Sequence, residues 1–245
     1  MKYMILLLFL GMAAFQWAFA ENLPSLNLQY HYDIRREFPT VTQEFYASDP
    51  LGYTFFFMDI NFDHNVKKGG ASDFYFEFMR YFTIAHWKRY DFYVTLQYDD
   101  GSEPVKQIWL GGLNMGKIRI GPLNLSTEFL LKKDYKLNLT WQYTIVWTAE
   151  FLKGRIFFVG YMDYWKNDVD NPNWPVFSDE LKKSRYSFMS EPQIGWKFTP
   201  HWKAGSEIEI GRGFVGSVTG KLFLQEKYVH DKWYVLPTVF VEYTF

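Results

Sequence analysis

The chain has 245 residues, 26 Lys and Arg against 27 Asp and Glu, no Cys, and 22% aromatic residues at a mean hydropathy of −0.22. A net charge of −1 gives no electrostatic case for nucleic acid, and zero Cys excludes a disulfide framework, a thiolate metal site and a Cys-anchored lipoprotein. A chain this aromatic yet hydrophilic on average must separate its two characters by fine alternation.

Residues 1–20 carry one Lys, an uncharged apolar run from Met4 to Phe15, and a closing "AFA". A positive tip, a short apolar middle and small residues two apart describe a cleaved signal peptide. The run is short of the roughly 20 residues that a spanning helix needs. The expected mature chain is therefore 21–245, and no later stretch reaches the length of a spanning helix.

Beyond residue 20, apolar and polar residues alternate with period 2, the pattern of half-buried strands. "SLNLQYHYD" sets Leu26, Leu28, Tyr30 and Tyr32 against Asn27, Gln29, His31 and Asp33. "YTFFFMDINF" sets Thr54, Phe56, Met58, Ile60 and Phe62 against Tyr53, Phe55, Phe57, Asp59 and Asn61. "DFYFEF" and "DFYVTLQYD" follow, and then "LNLTWQYTIVW". Twelve segments are expected, at about 25–33, 40–47, 53–62, 72–83, 91–99, 107–116, 122–131, 136–150, 155–166, 186–198, 203–213 and 232–245. Several exceed the usual 5–6 residues of globular strands and match the 9–11 of a tilted membrane strand.

Connections after segments two, four, eight and ten are brief ("SDPLG", "IAHWKRY", "FLKGR", "TPHW"). Those after segments one, three, nine and eleven are expected to be longer and more polar. This asymmetry is that of an outer-membrane barrel with short periplasmic turns. The expected fold is all-β: a transmembrane antiparallel up-and-down β-barrel of 12 strands, with 10 as the alternative count. The closing stretch "WYVLPTVFVEYTF" ends on the apolar beat because lipid receives that face. A soluble sandwich or lipocalin-like barrel competes, but its second face would leave a row of Phe in water.

The beat opposite the aliphatic row is assigned to the lumen. It collects Asp59, Glu77, Asp99, Glu128, Asp163, Glu191, Glu207, Glu209 and Glu242, with few cations, Lys197 the clearest. On the same beat lie Tyr53, Phe55, Phe57, Tyr75, Tyr93, Phe157, Tyr161, Trp165, Tyr234 and Phe240. Rings and carboxylates suit a flat solute bearing hydroxyl or amine donors, since stacking supplies roughly 1–3 kcal/mol per base, and the excess of acids favours cations or neutral polyols over anions. Internal pairing of single lumen acids is the plainer alternative. No catalytic residues are expected, because none of the five His has a Ser two positions away. His31 and Asp33 share a face without a second acidic dyad. No His pair has metal-ligand spacing, so neither metal nor cofactor is expected.

"LGYTFFFMDINF" (51–62) is similar to a stretch of the nucleoside-specific outer-membrane channels, the Tsx-like family with its uncharacterised relatives. "FYFEFMRYF" (74–82), "GYMDYW" (160–165), "FMSEPQIGW" (188–196) and "GSEIEIGRGF" (205–214) resemble further segments of that family in the same order. The Trp common before the family's Gly is Leu51 here. The resemblance implies a monomeric twelve-stranded barrel in the bacterial outer membrane, with a narrow channel for nucleosides and a C-terminal Phe245 read by the barrel-assembly machinery. Matching residues are Phe55, Phe57, Asp59, Glu77, Asp163, Trp165, Glu191, Gln193 and Glu209. With Tyr75, Tyr161 and Glu207 from the lumen beat, they form the expected solute-binding set. A plugged structural or binding barrel and a barrel hydrolase stay open as alternatives.

Overall fold

The computed structural model describes residues 24–64, 67–102, 107–173, 184–213 and 233–245. The signal peptide expected over 1–20 lies outside them, as does most of the connection before the last strand. Among the described residues every regular element is a strand. The strands are β1 (Ser25–Asp33), β2 (Phe38–Asp49), β3 (Gly52–Asn61), β4 (Asp73–Trp87), β5 (Tyr90–Gly101), β6 (Ile108–Ile120) and β7 (Leu123–Asp134). They continue with β8 (Leu139–Phe151), β9 (Ile156–Lys166), β10 (Tyr186–Ser190), β11 (Gln193–Lys197), β12 (Trp202–Arg212) and β13 (Tyr234–Thr244).

From β1 to β9 each strand pairs antiparallel with the next, β10 and β11 each pair with β9 and β12, and β12 pairs with β13; β1 pairs with β13 (Gln29 opposite Glu242), so the sheet closes without an edge. Closure satisfies every wall strand on both sides, which a membrane demands. β10 and β11 are one stave in two pieces. Ser190 faces Met162 and Gln193 faces Val159, the same register on both sides of the gap. The gap is chemical: Pro192 accepts a bond from the Ile208 N–H at 3.0 Å but has no N–H to return. The barrel therefore has twelve staves.

The turns near the termini are tight, such as residues 50–51 and 88–89. The strand ends Asn61, Asp73, Lys166 and Tyr186, which bound the longer connections, lie at the other rim. The expected long connection after the first strand is corrected: only Ile34–Glu37 join β1 to β2. Asp33 accepts the N–H groups of Arg35 and Arg36 and tightens this turn. Phe38, 1% exposed, then opens β2 two residues before the expected start.

Alternation separates two solvents. On β6 and β7, outward Leu113 is 61% exposed and outward Phe129 54%, whereas inward Leu110 and Leu130 are 2% and 1% exposed. An outward belt this apolar belongs in hydrocarbon. Outward rings border it at both rims. Tyr98 meets Trp109 at 4.6 Å and Trp141 meets Tyr164 at 5.7 Å on the loop side. Trp202, Tyr243 and Phe245 stand together on the terminal side, at 4.9 and 5.0 Å. These are the aromatic girdles of a membrane barrel.

Candidate functional site

All twelve expected site residues fall on the inward beat. The register of β2 to β5 builds one wall of the lumen. Thr42 stands opposite Asp59, Glu44 opposite Phe57, Phe57 opposite Glu77, and Glu77 opposite Asp99. Directly opposed residues share a face and touch. The Thr42 hydroxyl donates to Asp59, Asn27 Nδ2 donates to Glu44 at 2.7 Å, and the Tyr75 hydroxyl donates to Glu77 at 2.6 Å. Phe57 sets its ring edgewise to Tyr75 at 5.8 Å and tilts against Phe55 at 6.3 Å. Asp99 Oδ1 is buried and accepts no hydrogen bond.

Across the bore, β9 carries Tyr161, Asp163 and Trp165. The Thr144 hydroxyl donates to Asp163 at 2.5 Å. Lys132 Nζ lies 2.9 Å from Asp134 and 5.7 Å from the Trp165 ring centroid.

A second acidic group sits beside the Pro192 gap. Gln193 Nε2 donates to Glu207 at 2.5 Å, and the Tyr234 hydroxyl donates to Glu209 at 3.0 Å. Glu191 is held by its own N–H on the Tyr161 carbonyl at 3.1 Å. Arg36 reaches in from the first turn, bonding Asp33 at 2.5 Å and Glu209 at 3.2 Å. Burial works against its charge, but the carboxylates of Glu209 and Asp33 outweigh that and raise its pKa.

A run of ring contacts crosses the inner wall from β1 through β13 to β9. His31 stacks on Phe240 at 5.0 Å, and Phe240 meets Phe157 at 6.2 Å. The Phe157 ring lies over Gly195, where a Cβ would come within 2.6 Å of it. Lys203 pairs with Glu242 at 2.5 Å, and Lys197 pairs with Glu150.

Besides the expected Lys197, the structure turns Arg36, Lys132 and Lys203 inward, and Arg119 near the terminal rim. Arg36 lies in a turn, and Lys132 is one residue past the expected end of its segment. The alternation of Glu128, Leu130 and Lys132, continued by one step, would have found it. Glu44 is a further inward acid, on the beat of Thr42. The expected His31–Asp33 proximity makes no dyad: His31 bonds Gln29 at 2.8 Å and Asp33 serves Arg36. Arg80, three residues after Glu77, faces outward and finds its partners there, Asp49 at 2.8 Å and Thr54 at 3.2 Å.

Even so, the cations do not meet the acids at mid-barrel. Among the described residues, Glu44, Asp59, Glu77, Asp99, Glu128, Asp163 and Glu191 have no Lys or Arg within the 4.0 Å of an ion pair. The hydrogen-bond partners of Glu44, Asp59, Glu77, Glu128 and Asp163 are hydroxyls and amides. Glu128, for example, takes Tyr81, Gln97 and Asn114 at 2.7 to 3.0 Å. Such an interior is rich in acceptors and poor in donors.

Among solved structures, the chain is similar to a KdgM porin in complex with disordered oligogalacturonate, with 11% identity and a TM-score of 0.53. That match covers 90% of this chain and 99% of the porin. A NanC porin matches with 10% identity and a TM-score of 0.57, covering 90% and 98%. Identities this low carry the barrel fold and leave the cargo open. No curated protein matches, and the resemblance to nucleoside channels stands on the sequence segments alone. A family model described as a domain of unknown function (DUF5020) matches residues 25–245, all but the expected leader and the four residues after it, and the chain belongs to that family.

Proposed function

We propose that this protein is an outer-membrane channel for passive diffusion of small polar solutes, with nucleosides and similar flat, hydroxyl-rich solutes as the favoured cargo. The acceptor-rich mid-barrel carries this reading. Seven inward carboxyl groups without a Lys or Arg partner, interleaved with Phe55, Phe57, Tyr75, Tyr161 and Trp165, match a solute that brings donors on its rim and a π-face. One structural neighbour is a porin in complex with oligogalacturonate, a chain of sugar acids. The carboxyl groups here favour solutes that carry no acid. Delivery by a signal peptide at 1–20, reading of Phe245 by the barrel-assembly machinery, and action as a monomer belong to the same proposal.

Planar-bilayer recording tests it. Added adenosine should reduce the current of the purified protein in a saturable way, and galacturonate at equal concentration should not. A current indifferent to nucleosides removes the cargo claim. A second reading, a barrel with a closed lumen, is favoured by inward Leu110, Leu130 and Leu236, each about 2% exposed or less. A folded protein that passes no current supports that reading.

A further inference from the structure

Two interruptions of the wall's register lie side by side at the rim that carries the termini. On β4 the pairing with β5 slips between Thr83 and Ala85, and on β6 the pairing with β7 slips between Met115 and Ile118. One extra residue turns every later side chain to the opposite face. An unbroken register would aim His86 and Arg119 at lipid. With the slips, His86 stands opposite Asp91 and Arg119 opposite Asn124, both on the inward beat. Lys117 lies within the second bulge, at a φ of 59°. Its Nζ is 2.6 Å from one oxygen of Asp91, and His86 Nδ1 is 2.6 Å from the other.

These groups line a cavity of about 860 Å³, together with Lys88, Arg89 and the hydroxyl of Ser126. Asp91 is the single carboxylate in that lining, and His86 and Lys117 already occupy it. Arg119 has no carboxylate within ion-pair distance among the described residues. The mouth is thus donor-rich where the mid-barrel is acceptor-rich. A guanidinium fork beside ammonium and hydroxyl donors matches the several oxygens of a phosphate. The volume falls within the roughly 300–1,000 Å³ of small-molecule sites.

We propose that this cavity binds a small phosphate-bearing solute from the solution on the terminal side. The site is separate from the mid-barrel and does not depend on the channel reading.

The detergent-folded protein is titrated calorimetrically with inorganic phosphate and glucose 6-phosphate, with glucose as the uncharged control. Both phosphates should bind saturably and glucose should not. Arg119→Gln should weaken phosphate binding at least tenfold while keeping heat-modifiable migration. Asp91→Asn, which removes the lone carboxylate, should tighten it several-fold. If Arg119→Gln does not fold, the wild-type titration and Asp91→Asn decide. Absent saturable phosphate binding, an Arg119→Gln affinity within twofold of wild type, or weaker binding by Asp91→Asn overturns the proposal. So does a signal seen only with phosphatidylglycerol vesicles, because that marks contact with a lipid headgroup.

Discussion

Phe57 and Asp59 sit two apart on β3, one offering a π-face and the other a carboxyl group that already holds Thr42. A stacked solute gains roughly 1–3 kcal/mol from one such ring, so Phe57→Ala should weaken nucleoside block about tenfold. Asp59→Ala removes an acceptor and should act in the same direction. Both variants should retain heat-modifiable folding, because neither touches the ladder. Block equal to wild type in both would remove this pair from the site. At this scale the sequence was legible wherever period 2 ran unbroken, since alternation alone places Asp59, Glu77, Asp163 and Glu209 inside. Arg36 was not legible, because a turn residue has no beat from which to read its direction. Arg80 shows another limit: its spacing from Glu77 indicates the opposite face, but its partner Asp49 comes from another strand's end.

Strand ends and interruptions are where sequence and structure diverge. In "FTIAHW" every residue is compatible with a strand, so nothing marks Ile84 as the extra one. "NMGKIRI" hides its bulge in the same way, although Gly followed by Lys at positive φ is a local cue. Pro192 is visible in the sequence, and the stave continues past it as the expected segment 186–198 has it, with the same register on both sides. Pro192→Ala should return the missing bond to Ile208 and raise stability by about 1 kcal/mol, measured by urea titration of heat-modifiable folding. A loss would mean that the proline fixes a bend the wall needs. Gly205 provides the opposite test. A Cβ there would lie 2.3 Å from the Ile194 carbonyl and 2.7 Å from the Gly195 Cα. Gly205→Val should therefore destabilise the barrel by about 1–3 kcal/mol in the same assay.

For the whole molecule, adjacent residues in one strand meet different media. Leu113, 61% exposed on the outward face, belongs in hydrocarbon. Leu113→Arg should cost up to about 2–4 kcal/mol in lipid, as outward charges do in such barrels, and Leu113→Phe should cost little. Equal tolerance of both would place that face in water. Twelve staves and closure were legible because each segment repeats the same alternation and the termini meet. The interior's purpose was less legible, because acceptors without donors are a property of the assembled wall. The most direct test is the reversal potential of single channels under a KCl gradient in planar bilayers. The account predicts discrete openings that favour K⁺ over Cl⁻, with the preference reduced in the Glu77→Gln, Asp99→Asn double variant. A folded protein that stays silent, or one that favours Cl⁻, would contradict it.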